Sequence, residues 1–255
     1  MYRQLIEDLS KQNYYCIAPN LRGYSAGARP KGKQNYRIEE LVKDVLDIAH
    51  NVEKEKFHLI GHDWGSAIGW QLVHDYPNKI LSWTGMSVPH LQSFFEALLK
   101  DKDQKEKSRY ISLFQLPILP EWNIKAKNFK VLRKLWDAQD VVEVEDYMAI
   151  GKEKGAVRSM LNYYRANHKL AKRAGKEQIL GNIVVPTLFI WGKSDVAIGP
   201  ASVDKGHKYM KGDYRYLELD AGHWLIQTKY CEIRDAVIEH LAKYKYEFIE
   251  VQDPI

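Results

Sequence analysis

Phe57-His-Leu-Ile-Gly-His-Asp-Trp-Gly65 is the stretch on which the fold turns. A short apolar run feeds directly into a Gly-x-Asp-x-Gly turn, and the small residues Ser66, Ala67 and Gly69 follow at the start of a predicted helix. Strand, tight turn and helix in that order form an elbow that lifts one side chain out at the C-terminal end of a parallel strand. The lifted side chain is a carboxylate, Asp63. A serine or cysteine there would attack acyl carbon, whereas an ionised aspartate suits displacement of a leaving group from saturated carbon. The N-terminus of the following helix favours that anion.

Outward from the elbow, strand and helix patterns alternate. Leu5, Ile6 and Leu9 recur at helical spacing, and Tyr14-Tyr-Cys-Ile-Ala18 then reads as a strand. The Gly- and Lys-rich stretch 22–34 reads as a loop and 37–52 as an amphipathic helix. A helix over 64–75 and a strand over 80–86 come next, and the rhythm resumes with Thr187–Trp191, a helix over 200–210, Tyr214–Leu219 and a helix over 227–243. Such alternation predicts a mostly parallel sheet wrapped by helices. Between them, from about Pro89 to Ile183, the pattern is helical with charged connectors, which predicts an inserted helical cap. The expected division is therefore 1–88, first part of the core, 89–183, cap, and 184–255, second part of the core.

Composition narrows the function classes. The 255 residues are 45% hydrophobic and 28% charged, an ordinary globular balance. A formal charge of +5 is mild, and lysines alternate with acids rather than forming a basic stripe, so nucleic-acid binding is not expected. The run His168-Lys-Leu-Ala-Lys-Arg173 reads as a solvated helix face. Two isolated cysteines, Cys16 and Cys231, fit neither a disulfide framework nor a zinc site. No spanning-length apolar run and no signal peptide are visible, so a soluble cytoplasmic protein is expected, with a homodimer compatible with what the sequence shows.

Two further segments complete a constellation. Trp191-Gly-Lys-Ser-Asp195 places an acid just past a predicted strand, and Asp220-Ala-Gly-His-Trp224 places His223 after the next. Either alone reads as a turn. The order nucleophile, acid, histidine, each at a strand's C-terminal end, is specific. With these motifs, and with Ala18-Pro-Asn-Leu-Arg-Gly-Tyr24, the chain resembles the epoxide hydrolase and haloalkane dehalogenase branch of the α/β-hydrolase superfamily.

The resemblance implies an α/β-hydrolase fold and an enzyme that takes a small-molecule epoxide or alkyl halide without metal or organic cofactor. In the cap, the segments Arg109–Pro117 and Asn162–Arg165 resemble those that carry the epoxide hydrolase tyrosines, which gives Tyr110 and Tyr164 as substrate-binding acids. Asp63 would then form an alkyl ester, His223 oriented by Asp195 would activate the water that hydrolyses it, and the Trp64 N–H would steady the oxyanion. A haloalkane dehalogenase would share the triad and use the Trp64 indole, with a second halide donor from the cap, such as Trp122 or Trp136, or from the loop that precedes this stretch in the family. Phe94, Phe95, Leu98 and Leu99 read as cap packing or as a channel lining.

One departure is expected to matter. The His-Gly-x-Pro loop that supplies the family's other oxyanion donor has no counterpart before Tyr2, and neither has the strand leading into it. That strand would lie between 14–18 and 57–60. The sequence thus reads as N-terminally truncated relative to the family, either because Met1 is not the true start or because this is a shortened paralogue. A non-catalytic, degenerate hydrolase is the third reading.

Overall fold

The computed structural model describes residues 1–137 and 142–245. Four strands, β1 (Phe57–His62), β2 (Ile80–Met86), β3 (Thr187–Gly192) and β4 (Tyr214–Leu219), form one all-parallel sheet in the order β1-β2-β3-β4. Their sequences match their positions. β3 is buried at every residue and reads as a near-continuous apolar run, as a strand covered on both faces must. At the edge, β4 (Tyr-Arg-Tyr-Leu-Glu-Leu) alternates and is half exposed.

Helices cover both faces. α1 (Arg3–Lys11) and α13 (Tyr230–Lys243) bury Leu5, Leu9, Val237 and Leu241 against Met86, Leu188 and Ile190. On the other face, α2 (Ile38–Asn51) and α3 (Trp64–Asp75) bury Leu41, Trp70 and Leu72 with Trp83 and Phe189. Fully burying such side chains stabilises by about 1.5–3 kcal/mol each, which fixes these helices to the sheet.

Between β2 and β3 the chain makes α4 (Leu91–Lys100), α5 (Lys102–Lys107), α6 (Arg109–Leu113), α7 (Leu119–Asp137, broken at 126–129), α8 (Val144–Lys152), α9 (Ala156–Asn167) and α10 (Lys169–Ala174). His90, just before α4, is buried, stacks on Tyr209 at 4.3 Å and donates from Nε2 to the Gly181 carbonyl at 2.9 Å. The buried amide of Gln104, on α5, uses its full hydrogen-bonding capacity. Its Nε2 donates to Ser108 Oγ (2.9 Å) and the Ala197 carbonyl (2.8 Å), and its Oε1 accepts from Gly199 N (2.8 Å) and Ser202 Oγ (2.6 Å).

Three expectations are corrected. Residues 14–18 are not a strand, and Tyr15 and Ile17 are exposed at 77% and 44%. A strand needs a ladder partner, and among the described residues nothing pairs with the free edge of β1. Tyr14 instead lays its ring edge-on to His58 at 5.8 Å. The helix expected over 200–210 is α11 (Pro200–Asp204), followed after Gly206 by a short 3₁₀ turn (His207–Tyr209). The last helix is split into α12 (Leu225–Thr228) and α13, because Lys229 leaves the helical region at φ −131°, ψ 45°.

Candidate active site

Strand register gathers the site. His62 pairs with Met86 and Met86 with Ile190, so the chain leaves β1, β2 and β3 along one edge of the sheet, at Asp63, Ser87 and just before Asp195. Asp63 sits at the elbow with φ 52°, ψ −119°, a conformation that non-glycine residues adopt only when their surroundings enforce it. Gly61 permits the turn, since a Cβ there would lie 2.4 Å from the Gly65 carbonyl oxygen. Gly65 itself has open space, so the second glycine of the motif is not demanded by sterics.

His223 lies between two carboxylates. Its Nδ1–H donates to Asp195, with Oδ1 at 3.0 Å and Oδ2 at 2.9 Å, and its Nε2 faces Asp63 Oδ2 at 3.6 Å. The latter is an ion-pair distance, longer than a hydrogen bond. Asp195 is 1% exposed, and Oδ1 also accepts the N–H groups of Ala197 (2.7 Å) and Ile198 (3.0 Å). Burial works against charge on His223, but Asp195 and then Asp63 outweigh it and push its pKa up to about 10. Burial likewise opposes ionisation of Asp63, yet the facing His223, then His62 and the Trp64 N–H, hold its carboxyl below the usual range.

His62 is buried and neutral, its pKa pushed down to about 4 by desolvation and then by His223. Its Nε2–H donates to the His223 carbonyl at 2.8 Å, with the two rings 5.0 Å apart, which pins the histidine loop to the elbow.

Across the same cavity stand Tyr110 and Tyr164, their ring centroids 5.8 Å apart. Arg165 brings their segments together by donating to the carbonyls of Phe114 (2.8 Å) and Leu116 (2.7 Å) while pairing with Glu121. Desolvation, then neighbouring negative charge, pushes the Tyr110 phenol above its ordinary range, and burial does the same for Tyr164. The Trp64 ring lies edge-on to the Tyr164 ring, their centroids 5.2 Å apart. Trp64, Phe94, Phe95 and Leu98 line the cavity, whereas Leu99 is 38% exposed. A larger crevice of about 610 Å³ is lined by Lys33, Arg37, Lys169 and other polar side chains. It holds no Asp63, whereas Asp63, Tyr110 and Tyr164 all line the smaller, apolar cavity.

All five sequence-predicted side chains, Asp63, Asp195, His223, Tyr110 and Tyr164, are therefore brought together with Trp64. The suggested halide donors are not: Trp122 is 69% exposed, and Trp136 packs on Tyr147 and Trp224 outside the cavity lining. Sequence reading missed Ser87 and the half-buried Tyr24, whose phenol is raised by desolvation and then by Asp63. Tyr24 had a signal in the Arg-Gly-Tyr turn, whereas Ser87 had none. Among the described residues no group of three or more His, Cys, Asp or Glu is placed to hold a metal ion, and no helix is long and apolar enough to cross a membrane.

A family model described as the alpha/beta hydrolase fold matches residues 1–230. The chain belongs to the α/β-hydrolase fold family. Among the relatives of this α/β-hydrolase is Epoxide hydrolase 3 of Xenopus tropicalis, 28% identical over 252 residues, covering 94% of this chain and 67% of that protein. Epoxide hydrolase 4 of Homo sapiens is 30% identical over 231 residues, covering 86% of this chain and 62% of that one. A crystal structure of the Bacillus megaterium epoxide hydrolase with an inhibitor superposes at a TM-score of 0.83 with 25% identity, covering 94% and 89% of the two chains.

Proposed function

We propose that this α/β-hydrolase opens epoxides to vicinal diols through a covalent ester on Asp63. The observation that carries the reading is a carboxylate, not a hydroxyl, on the strained elbow, with His223 Nε2 3.6 Å away. Two phenols cross the same apolar cavity. The helices between β2 and β3 act as a cap that brings those phenols over the nucleophile.

In the first step a carboxylate oxygen of Asp63 attacks a ring carbon, and the C–O bond breaks towards the ring oxygen. That oxygen takes a proton from Tyr110 or Tyr164, and the tyrosinate left behind recovers a proton through solvent when the imidazolium releases its own. A buried phenol stays protonated at neutral pH, yet is a competent acid toward a far more basic alkoxide. The resting His223 is charged because two carboxylates flank it. Esterification makes Asp63 neutral, and the imidazolium then yields its proton to solvent. The free Nε2 now takes a proton from water, and the oxygen of that water attacks the ester carbonyl carbon. The Trp64 N–H stabilises the tetrahedral oxyanion, and collapse releases the diol as its leaving oxygen is protonated, restoring Asp63.

The test is intact-protein mass spectrometry of the chain and its His223→Gln variant after exposure to a small aryl epoxide, with peptide mapping. A stable adduct on Asp63 in the variant is expected, and equal multiple turnover by the variant and the unaltered chain would refute the hydrolytic role of His223. No adduct on folded protein points to a non-catalytic hydrolase relative. Halide release from an alkyl halide, with no diol from an epoxide, points to a dehalogenase, a reading disfavoured by the placement of Trp122 and Trp136 outside the cavity lining.

A further inference from the structure

Ser87 follows β2 and is fully buried. Its backbone lies in the left-handed region at φ 67°, which costs a non-glycine residue about 1 kcal/mol or more and persists only where the surroundings hold it. Its N–H donates to the Ile190 carbonyl at 2.9 Å, fixing it beside β3. In that pose Oγ stands 2.7 Å from Asp195 Oδ2 and 2.9 Å from His223 Nδ1. A carboxylate accepts and a hydroxyl has one proton, so Oγ–H donates to Oδ2 and its lone pairs face the Nδ1–H.

We propose that Ser87 is a positioning residue of the acid–base pair. It holds Asp195 with both oxygens toward Nδ1, enforces the tautomer that leaves Nε2 free, and draws off part of the carboxylate's charge so that the imidazole gives up its proton more readily. Oδ1 already has two backbone donors, whereas Oδ2 has the serine alone besides the imidazole. Removing the hydroxyl concentrates negative charge on the oxygen nearest Nδ1. The other titratable groups around the pair are Asp63 opposite Nε2, neutral His62 against the ring and neutral Tyr110 across the cavity. Lys107 reaches the Asp195 carbonyl at 2.8 Å. None of these touches Oδ2.

This inference rests on the proposed role of His223, so the experiment has one arm that needs no turnover. Nitrogen-15 histidine NMR follows the titration of His223 in Ser87→Gly and Ser87→Ala, each with Asp63→Asn so that the facing charge is absent. Glycine suits φ 67° and keeps the fold safe, while alanine keeps the Cβ. Both should bind the imidazole proton about fivefold more tightly, the worth of one ordinary hydrogen bond. With Asp63 intact, both should also move the acid limb of ester hydrolysis to higher pH by the same factor and leave the alkylation rate unchanged. An unmoved or lowered titration midpoint overturns the proposal, as does a shift in only one of the two variants, which would trace the effect to backbone strain. If no Asp63 adduct forms at all, the function fails, and the NMR arm still decides on Ser87.

Discussion

Asp63→Asn replaces the nucleophile by a neutral group of the same shape and so imitates the charge of the ester intermediate. His223 Nε2 is 3.6 Å from the nearer Asp63 oxygen. At an effective dielectric near 20, a unit charge at that separation is worth about 4–5 kcal/mol. That corresponds to a proton affinity lower by roughly a thousandfold or more. The imidazole of the unaltered chain, held protonated to about pH 10 by burial's loss to Asp195 and Asp63, should therefore titrate near neutrality in the variant. The assay is a pH titration of nitrogen-15-labelled histidine by NMR, with His223 assigned through its loss in His223→Gln. The same midpoint in both proteins would refute the reasoning, because His223 would then remain charged after alkylation and have no lone pair with which to activate water.

Tyr110→Phe and Tyr164→Phe should each slow ring opening by about tenfold to a hundredfold, and the double variant by more, in single-turnover alkylation measurements. Hydrolysis of a preformed Asp63 ester should be little changed, and an equal loss in both steps would speak against an acid role. Stability should fall on mild acidification. His62 and His90 are buried neutral, with pKa values pushed down by desolvation to about 4 and about 3 from 6.5. The unfolded chain therefore takes up protons first as the pH drops below 6.5, and each residue costs about 2 kcal/mol by pH 5. His223, raised rather than lowered, contributes stability that is nearly complete at pH 7 and lost as the pH rises through about 10, so it offsets less than about 1 kcal/mol of that fall. A urea midpoint unchanged between pH 7 and pH 5 would contradict this.

What could be read from the sequence was whatever leaves a period or a motif. β1, β2 and β3 are apolar runs ending at the elbow, at Ser87 and at the Asp195 loop, and the order Asp63, Asp195, His223 was legible because each follows a strand. Residues 14–18 have the composition of a strand, but pairing is a property of neighbours, and no neighbour is in place among the described residues. The breaks at Gly206 and Lys229 are tertiary choices that helical periodicity does not carry. Tyr110 and Tyr164 were legible only through their flanking residues. Arg165, 55 positions after Tyr110, is what makes them neighbours, by binding carbonyls that no side-chain pattern announces. Ser87 was invisible, since one serine after a strand has no signature and its importance lies in a backbone angle and two distances.

The Gln104 amide has a bearing on recombination. It joins α5 to the turn after β3, and the carbonyl it holds belongs to Ala197, whose own N–H supports Asp195. The helical insertion is therefore not an exchangeable module bounded by β2 and β3. A chimera that takes the inserted helices from a relative by cutting directly after Met86 would discard a four-bonded amide. It would leave the Gly199 N–H and the Ser202 hydroxyl to find new acceptors inside the core. Cut after Ser108 instead, such a graft keeps the amide with its loop, and the foreign helices inherit an acid already in register.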